Sequence, residues 1–249
     1  MIFKDHFSAH SRAYSEFRPS YPKSLFSYLA SLCATHDQAW DCATGSGQAA
    51  VSLADFFTTV VATDASAEQI ANTTQKKGVS YAVAQAENSG LDANTVDLIT
   101  VAQALHWFDI DAFAVEAGRV MKKEAVLAVW TYGLLTVHEK FDELLKYFYA
   151  DILGVFWPFE RKMVEGGYAD IILPFGEIPS PPMEMSEQWR FTDVIGYLNT
   201  WSAVRAYERE HGLNPLELVY DDMLNEWGNP NEVHTITWPL TLRVWRKTL

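Results

Sequence analysis

The sequence has only two cysteines among 249 residues, Cys33 and Cys42, and they lack the spacing of metal ligands. Cys42 lies inside a glycine-containing turn motif where a disulfide would be hard to accommodate, so we expect two reduced thiols in a cytoplasmic protein. The seven histidines are scattered, and neither an H-E-x-x-H nor a C-x-x-C motif occurs. Metal catalysis is therefore not expected.

Basic residues are also scarce, since 19 lysines and arginines stand against 32 aspartates and glutamates, with a formal net charge of −13. The electrostatic field of a negatively charged protein repels polyanions, unless a local patch of basic residues overcomes it. The basic groupings are only pairs, Lys76-Lys77 and Lys122-Lys123. We therefore expect neither a nucleic-acid partner nor an anionic membrane surface.

Long hydrophobic runs are absent as well. No segment approaches the length of a membrane-spanning helix, and residues 1–21 are interrupted by charged side chains, which is untypical of a signal peptide. The chain instead has a hydrophobic content of 49% over 249 residues, which is ample for the core of one α/β domain. The oligomeric state leaves no trace in the sequence.

Strands and helices alternate through the middle of the chain. This alternation predicts a doubly wound, Rossmann-like parallel sheet with right-handed crossovers. The predicted strands are 39–42, 60–63, 80–84, 96–102 and 125–130, and the predicted helices are 48–56, 67–77 and 112–121.

We predict a single domain, 1–249, in four parts. They are N-terminal helices with a lid (1–38), a cofactor-binding core (39–130), a cap insertion after the fifth strand (131–182) and C-terminal strands with a helix (183–249). The cap prediction rests on its aromatic content and its proline and glycine punctuation. The last part should contain a strand at 183–191, a helix at 193–204 and a final strand at 233–246.

The most informative motif is Trp40-Asp41-Cys42-Ala43-Thr44-Gly45-Ser46-Gly47-Gln48, which is followed by an apolar run that ends on Asp64. The pattern indicates strand, glycine turn, helix, strand and acid. The glycines let a ligand approach the backbone, and the helix that follows offers free N–H groups. Asp64 at a strand end can accept hydrogen bonds from both hydroxyls of a ribose. A nucleoside-bearing cofactor is the leading interpretation.

Asp41 bears on which cofactor this is. The glycine turn also fits the G-x-G-x-x-[G/A] pattern of a nicotinamide or flavin dehydrogenase. However, a carboxylate at the end of the first strand can face the ammonium of an amino-acid-bearing cofactor, whereas it would repel a pyrophosphate. The alternative is that Asp41 only bonds the N–H groups of its own turn.

Two further strand ends carry polar side chains. Glu87 follows the third strand, where it could recognise the exocyclic amine of adenine or simply be a solvated loop glutamate. His106 follows the fourth strand, at the edge where reacting groups gather in such sheets. It could orient a substrate oxygen or take a proton, with Trp107 and Phe108 as pocket walls, or it could be a histidine satisfied by loop backbone.

Four segments together resemble the class I S-adenosylmethionine-dependent methyltransferases, in the branch of trans-aconitate methyltransferase-like proteins. They are 14–22 (YSEFRPSYP), 41–48 (DCATGSGQ), 103–109 (QALHWFD) and 200–203 (TWSA), so that the similarity spans nearly the whole chain. The resemblance implies S-adenosylmethionine as cofactor and the seven-stranded sheet of that family. It also implies one antiparallel strand, here the segment that ends at Arg246.

The resemblance also implies cofactor contacts. They fall on the turn from Ala43 to Gly47, on Asp64 with Ala65 for the ribose, on Ala86 and Glu87 for adenine, and on Gln103 near the methionine portion. Tyr14 and Arg18 match a segment that closes over the carboxylate end of the cofactor in similar enzymes. Three positions depart from the family pattern. They are Ala43 in place of glycine, Gln69 in place of a methionine near the adenine, and Lys123-Glu124-Ala125 in place of Pro-Gly-Gly.

The expected activity is methyl transfer from S-adenosylmethionine to a small molecule, most plausibly to the oxygen of a carboxylate. An ionised carboxylate needs no general base, whereas a hydroxyl or phenol would need His106 or another base. Two alternatives stay open at this stage. One is a NAD(P)-binding oxidoreductase, and the other is a cofactor-binding protein that regulates a partner without turnover.

Overall fold

A mixed sheet of eight strands forms the centre of the protein in the computed structural model, which describes residues 17–248. The strand order is β3-β2-β1-β4-β5-β8-β6, with β7 also paired to β8. Strands β1 to β5 are parallel, and β8 is antiparallel to β5. The strands are β1 Gln38–Cys42, β2 Thr59–Asp64, β3 Val79–Val83, β4 Val96–Ala102, β5 Met121–Tyr132, β6 Gly176–Ile178, β7 Met183–Trp189 and β8 His234–Arg246.

The expectation of seven strands is wrong by one, because β6 is an additional strand. It is only three residues long and pairs with the end of β8, from Gly176 opposite Arg246 to Ile178 opposite Val244. A segment this short between prolines gives no alternating pattern. The prediction of one antiparallel strand is confirmed, because β6 and β7 are both antiparallel to β8 and so run in the direction of β5.

The helices lie near their predicted positions and differ at their ends. The predicted helix 67–77 ends at Ala71, and the predicted helix 193–204 is two helices, separated at Trp201, whose backbone is extended. The α-helices are α1 Lys23–Ser31, α2 Gln48–Leu53, α3 Ala67–Ala71, α4 Ile110–Val120, α5 Glu139–Tyr147, α6 Arg161–Glu165, α7 Phe191–Asn199, α8 Ser202–His211 and α9 Tyr220–Trp227.

Shorter helical turns complete the cap and the C-terminal part. The cap has a π-helical turn at Phe148–Ile152 and a 3₁₀ turn at Gly154–Phe156, besides α5, α6 and β6. A 3₁₀ turn at Leu105–Trp107 follows β4, and another at Pro215–Leu218 follows α8. Helix α9 and these turns were not predicted, because their apolar residues are too few to set a period.

Hydrophobic clusters cover both faces of the sheet, as expected for central strands that are buried on each side. Along β5, Ala128 and Trp130 pack on one face, and Leu127 and Val129 pack on the other. The pairing aligns Cys42 at the end of β1 with Thr63 in β2 and with Val101 in β4. The carboxyl ends of these strands therefore meet at one edge of the sheet, where the candidate site lies.

Between residues 17 and 248 no helix combines the length and the apolar character that crossing a membrane requires.

Candidate active site

The turn after β1 has an unusual backbone. Ala43, Gly45 and Gly47 all have positive φ, at 56°, 55° and 87°. A Cβ at Gly47 would lie 2.7 Å from the hydroxyl of Tyr81, whereas a Cβ at Gly45 would have no atom within 4 Å. The backbone at Gly45 is thus open to a ligand. Gly47 is the N-cap of α2, and the N–H groups at the start of this helix lie at the same edge of the sheet.

Asp64 ends β2 beside this turn. One carboxylate oxygen accepts the backbone N–H of Gly45 and the other accepts that of Ser66, each over 2.9 Å. The side chain is half-buried. Each oxygen has two lone pairs, so the anchored carboxylate can still accept from a vicinal diol. Ala65 lies between Asp64 and Ser66 along the chain.

Asp41 lies deeper, at the end of β1, where it is 1% exposed. Its two oxygens accept from the hydroxyls of Thr44 at 2.5 Å and Thr100 at 2.7 Å. Burial raises the pKa of Asp41 to about 6. The hydrogen bonds from Thr44, Thr100 and the Ala50 backbone act in the opposite direction and lower it. Within residues 17–248 this carboxylate has no cationic partner, so an ammonium group at the strand end would stabilise its charge.

The three residues proposed for the adenine end lie in helix α3 and in the loop after β3. Gln69 is buried in α3, where its N–H donates to the Ser66 side chain. Ala86 is buried, and Glu87 accepts the backbone N–H of Asp109 over 2.9 Å. Glu87 therefore joins the loop after β3 to the start of α4.

Gln103 connects the ends of β4 and β5. Its backbone has a φ of 57°, and its N–H donates to the carbonyl of Trp130 over 2.9 Å. Its side-chain oxygen accepts from the hydroxyl of Thr131 over 2.8 Å. These bonds fix the amide at the strand edge, three residues before His106 along the chain.

His106 lies in the 3₁₀ turn after β4, against the cap. Its Nδ1 is 2.8 Å from the hydroxyl of Tyr168, and its ring lies 4.6 Å from that of Trp107. Burial, together with the nearby charge of Arg161, lowers the pKa of His106 to about 4. The imidazole is neutral at physiological pH and is a weak base. Tyr168 was not predicted from the sequence.

Arg161 is a second cap residue that sequence reasoning missed. Its Nε donates to the Tyr149 hydroxyl over 2.9 Å, and its guanidinium lies over the ring of Trp157, 4.9 Å from the centroid. The Tyr149 hydroxyl in turn bonds Glu165. Within the described part of the chain no carboxylate contacts the guanidinium directly. The aromatic-rich cap was the only signal in the sequence for such a site.

Arg18 reaches the same edge from the N-terminal segment. It donates to the hydroxyl of Tyr132, at the end of β5, over 2.8 Å, and it lies over the ring of Tyr197 at 5.5 Å. The carbonyl of Pro19 accepts from the side chain of Gln48 over 2.9 Å, which ties this segment to α2. Tyr14 lies outside the described residues.

The structure thus brings the turn from Ala43 to Gly47 together with Asp64, and it places Gln103 and Arg18 at the carboxyl end of β5. His106 contacts the cap. Aromatic rings connect the two arginines, from Trp157 to Trp201 at 5.4 Å and from Trp201 to Tyr197 at 5.9 Å. No cluster of three or more histidine, cysteine or acidic side chains suited to a metal ion occurs in residues 17–248.

The sequence is similar to those of known proteins. Residues 40–129 match the family described as Methyltransferase domain. A protein of Dictyostelium discoideum that is named as a methyltransferase is 33% identical over 229 residues, which cover 90% of this chain and 87% of that protein. A protein of Saccharomyces cerevisiae named as an S-adenosylmethionine-dependent methyltransferase is 24% identical over 178 residues, 68% of this chain and 59% of that protein.

A solved structure extends the similarity well beyond residues 40–129. It is described as that of a type II methyltransferase from Anaeromyxobacter dehalogenans, and it superposes with a TM-score of 0.88 at 41% sequence identity. The superposition covers 92% of this chain and 97% of that chain.

Proposed function

Because this chain belongs to the class I S-adenosylmethionine-dependent methyltransferases, we propose that it methylates a carboxylate oxygen of a small-molecule acid. The family membership sets aside the oxidoreductase alternative. The finer assignment, to the branch of trans-aconitate methyltransferase-like proteins, is part of the proposal. A cytoplasmic location is also part of the proposal. So is the absence of a nucleic-acid or membrane partner, which the net charge of −13 supports.

The geometry suits S-adenosylmethionine. In this proposal Ala43, Gly45 and Gly47 present backbone to the cofactor, and Asp64 with Ala65 holds the ribose hydroxyls. The residues assigned to the adenine end are Gln69, Ala86 and Glu87, and those assigned to the methionine end are Asp41, Gln103, Tyr14 and Arg18.

When bound, the cofactor supplies a methyl group that its sulfonium already activates. The residues of this chain then have to align the acceptor oxygen with that methyl and exclude water. The cap and the N-terminal segment supply the aromatic side chains for a dry pocket. Little acid–base chemistry is required when the acceptor is already ionised.

The weak basicity of His106 is the observation that carries the choice of a carboxylate. A group whose pKa is lowered to about 4 is poorly matched to removing a proton from a phenol or an alcohol. A carboxylate presents an ionised oxygen at neutral pH and needs no such step.

Arg161 supports an anionic acceptor. Its Nε is engaged by Tyr149 and its face by Trp157, so the terminal nitrogens are oriented for a planar anion such as a carboxylate. The charge of Arg161 acts on both His106 and Tyr168, which places it close to the end of β4. We assign it to binding the acceptor.

A matched panel of acceptors tests the proposal. The enzyme is incubated with S-adenosylmethionine and small carboxylic acids, the corresponding primary amides, and phenols, and methylated products are identified by mass spectrometry. We expect methyl esters of acids only. Products from phenols alone would contradict the carboxylate, and tight binding of S-adenosylhomocysteine without any transfer would support the regulatory alternative.

Arg161 provides a paired control. Arg161→Met should raise KM for the acid at least tenfold, because a charge-assisted hydrogen bond contributes about 1.5–3 kcal/mol. Lys162→Met removes a neighbouring cation that is exposed and lies over Phe159, so it should leave KM unchanged. Equal effects of the two substitutions would show that only the overall charge matters.

A further inference from the structure

We propose that Tyr168 fixes the imidazole of His106 in the tautomer that carries its proton on Nε2. His106 is then a hydrogen-bond donor to the methyl acceptor and not the base that removes a proton from it. The role at the acceptor rests on the proposed function, whereas the tautomer is a property of the protein alone.

The contact itself is direct. Nδ1 of His106 and the Tyr168 hydroxyl are 2.8 Å apart, and the two rings are nearly parallel, with 22° between their planes and 6.1 Å between their centroids. Tyr168 is only 2% exposed, so water does not compete for its hydroxyl. A neutral imidazole has one N–H, and the partner of Nδ1 decides which nitrogen carries it.

The surroundings decide the direction of this bond. Burial raises the pKa of Tyr168 well above its usual range, so the phenol keeps its proton, although the backbone N–H groups of His106 and Leu105 act in the other direction. Within residues 17–248 the only acceptor for the phenol proton is Nδ1. Tyr168 therefore donates, and the imidazole proton is on Nε2.

The cap holds Tyr168 in a costly conformation to make this contact. Gly167 and Tyr168 both have positive φ, at 61° and 58°, which is unusual for a bulky residue. Arg243 in β8 donates to the carbonyls of Tyr168 and Ile171. A Cβ at Gly167 would lie 2.9 Å from Thr241 Cγ2, so the turn packs closely against β8 at a position that only glycine fits.

The other ring nitrogen is available for a ligand. Nε2 of His106 has no hydrogen-bond partner in the part of the chain from 17 to 248. As a donor it can hold one oxygen of an acceptor carboxylate while the second oxygen forms the new bond to the methyl carbon and the bond from that carbon to sulfur breaks. The sulfonium becomes a neutral thioether, the carboxylate becomes a neutral ester, and no proton is released.

The tautomer is measured first, in the full chain without cofactor or acceptor. In protein labelled with ¹⁵N-histidine, NMR should show His106 protonated on Nε2 with Nδ1 as an acceptor. In Tyr168→Phe we expect both tautomers, because Nδ1 has lost its donor, while the control Tyr147→Phe, at a side chain that is 52% exposed, should match the wild type. A proton on Nδ1 in the wild type, or no change in Tyr168→Phe, would overturn the proposal.

The donor role is tested by substitution at His106. A glutamine amide can place an N–H near the position of Nε2, whereas it cannot act as a base. With the best acid of the acceptor panel, His106→Gln should keep kcat/KM within about tenfold of the wild type. His106→Ala should lose about a hundredfold in kcat/KM, because the carboxylate is no longer held in line with the methyl group. Binding of S-adenosylhomocysteine should be unchanged in both. Equal loss in both variants would overturn the donor role.

The two proposals fail separately. If no acid is methylated, the carboxylate assignment fails, and the tautomer measured by NMR is unaffected. If esters form and His106 is protonated on Nδ1, the assignment of Tyr168 fails and the carboxylate assignment remains.

Discussion

Gly45 donates its backbone N–H to the carboxylate of Asp64 over 2.9 Å, so the turn after β1 and the end of β2 form one unit. The same carboxylate accepts from Ser66, which caps α3. An acid that binds the ribose would thus also shape the turn that receives the rest of the cofactor. A change at Asp64 should act on both.

Asp64→Ala should weaken binding of S-adenosylhomocysteine by at least tenfold. It removes one or two charge-assisted hydrogen bonds to the ribose, each worth about 1.5–3 kcal/mol, and it frees the Gly45 N–H. Titration calorimetry gives the affinity, and Asp92→Ala, at an exposed loop acid, is the control. Unchanged affinity in a folded Asp64→Ala variant would refute the ribose assignment.

Asp41 predicts a pH dependence. Its pKa is raised from 3.8 to about 6 in the folded protein, so its contribution to stability is complete below pH 3.8 and is lost as the pH rises through about 6. Asp41→Asn should therefore gain in unfolding free energy relative to the wild type, from near zero at pH 4 to about 3 kcal/mol at pH 8. Urea denaturation at several pH values measures this difference, and a constant difference would contradict it.

The same carboxylate makes cofactor binding depend on pH if it faces the ammonium of the cofactor. A positive group at the end of β1 favours the ionised form, so S-adenosylhomocysteine should bind more tightly as the pH rises from 5 to 7.5. Asp41→Asn should bind with little pH dependence over this range. An equally steep dependence in the variant would assign the effect to another group.

Ala43→Gly should stabilise the protein. Ala43 has a φ of 56°, a region that costs a non-glycine residue about 1–2 kcal/mol, part of which is offset by the greater freedom of glycine in the unfolded chain. Ala112→Gly, inside helix α4, should destabilise by about 0.5–1 kcal/mol. Opposite signs in thermal or urea unfolding are expected, and a loss of stability in both variants would contradict the strain at Ala43.

Gly196→Ala should displace the N-terminal segment. A Cβ at Gly196 in α7 would lie 2.6 Å from the ring of Phe17, next to Arg18. We expect faster hydrogen exchange in residues 17–21 and a lower kcat/KM, whereas Gly154→Ala, where a Cβ meets no atom within 4 Å, should leave both unchanged. Unaltered exchange in Gly196→Ala would contradict the displacement, and faster exchange with full activity would show that the segment takes no part in the reaction.

Arg18→Lys tests the guanidinium within that segment. A lysine keeps the charge but cannot bond Tyr132 and a carboxylate at the same time in a planar arrangement. We expect a loss of about tenfold in kcat/KM, and protection of residues 17–21 from exchange when S-adenosylhomocysteine binds to the wild type. Full activity of the variant, with equal exchange in free and bound protein, would make Arg18 a surface residue.

The sequence could predict the sheet because its signals are local. Alternating apolar segments and glycine turns predicted β1 to β5, and β4 was predicted with its observed bounds, 96–102. Two of the positions that depart from the family pattern have a local explanation, because Ala43 and Glu124 both adopt a positive φ where that pattern has glycine. The extended strand β5 was predicted as 125–130 and spans Met121–Tyr132, because its first residues are charged.

The sequence by itself determined the order of the acids and turns along β1, β2 and β4, and so the place that we propose for the cofactor. It could not reveal that Tyr168 meets His106, because 62 residues separate them and their contact depends on how the cap folds back over the sheet. The same is true of Arg161 and of the pairing of β6 with β8. Hydrophobic periodicity is a local property that can be read from consecutive residues. The partner of a polar side chain is decided only when distant segments pack together.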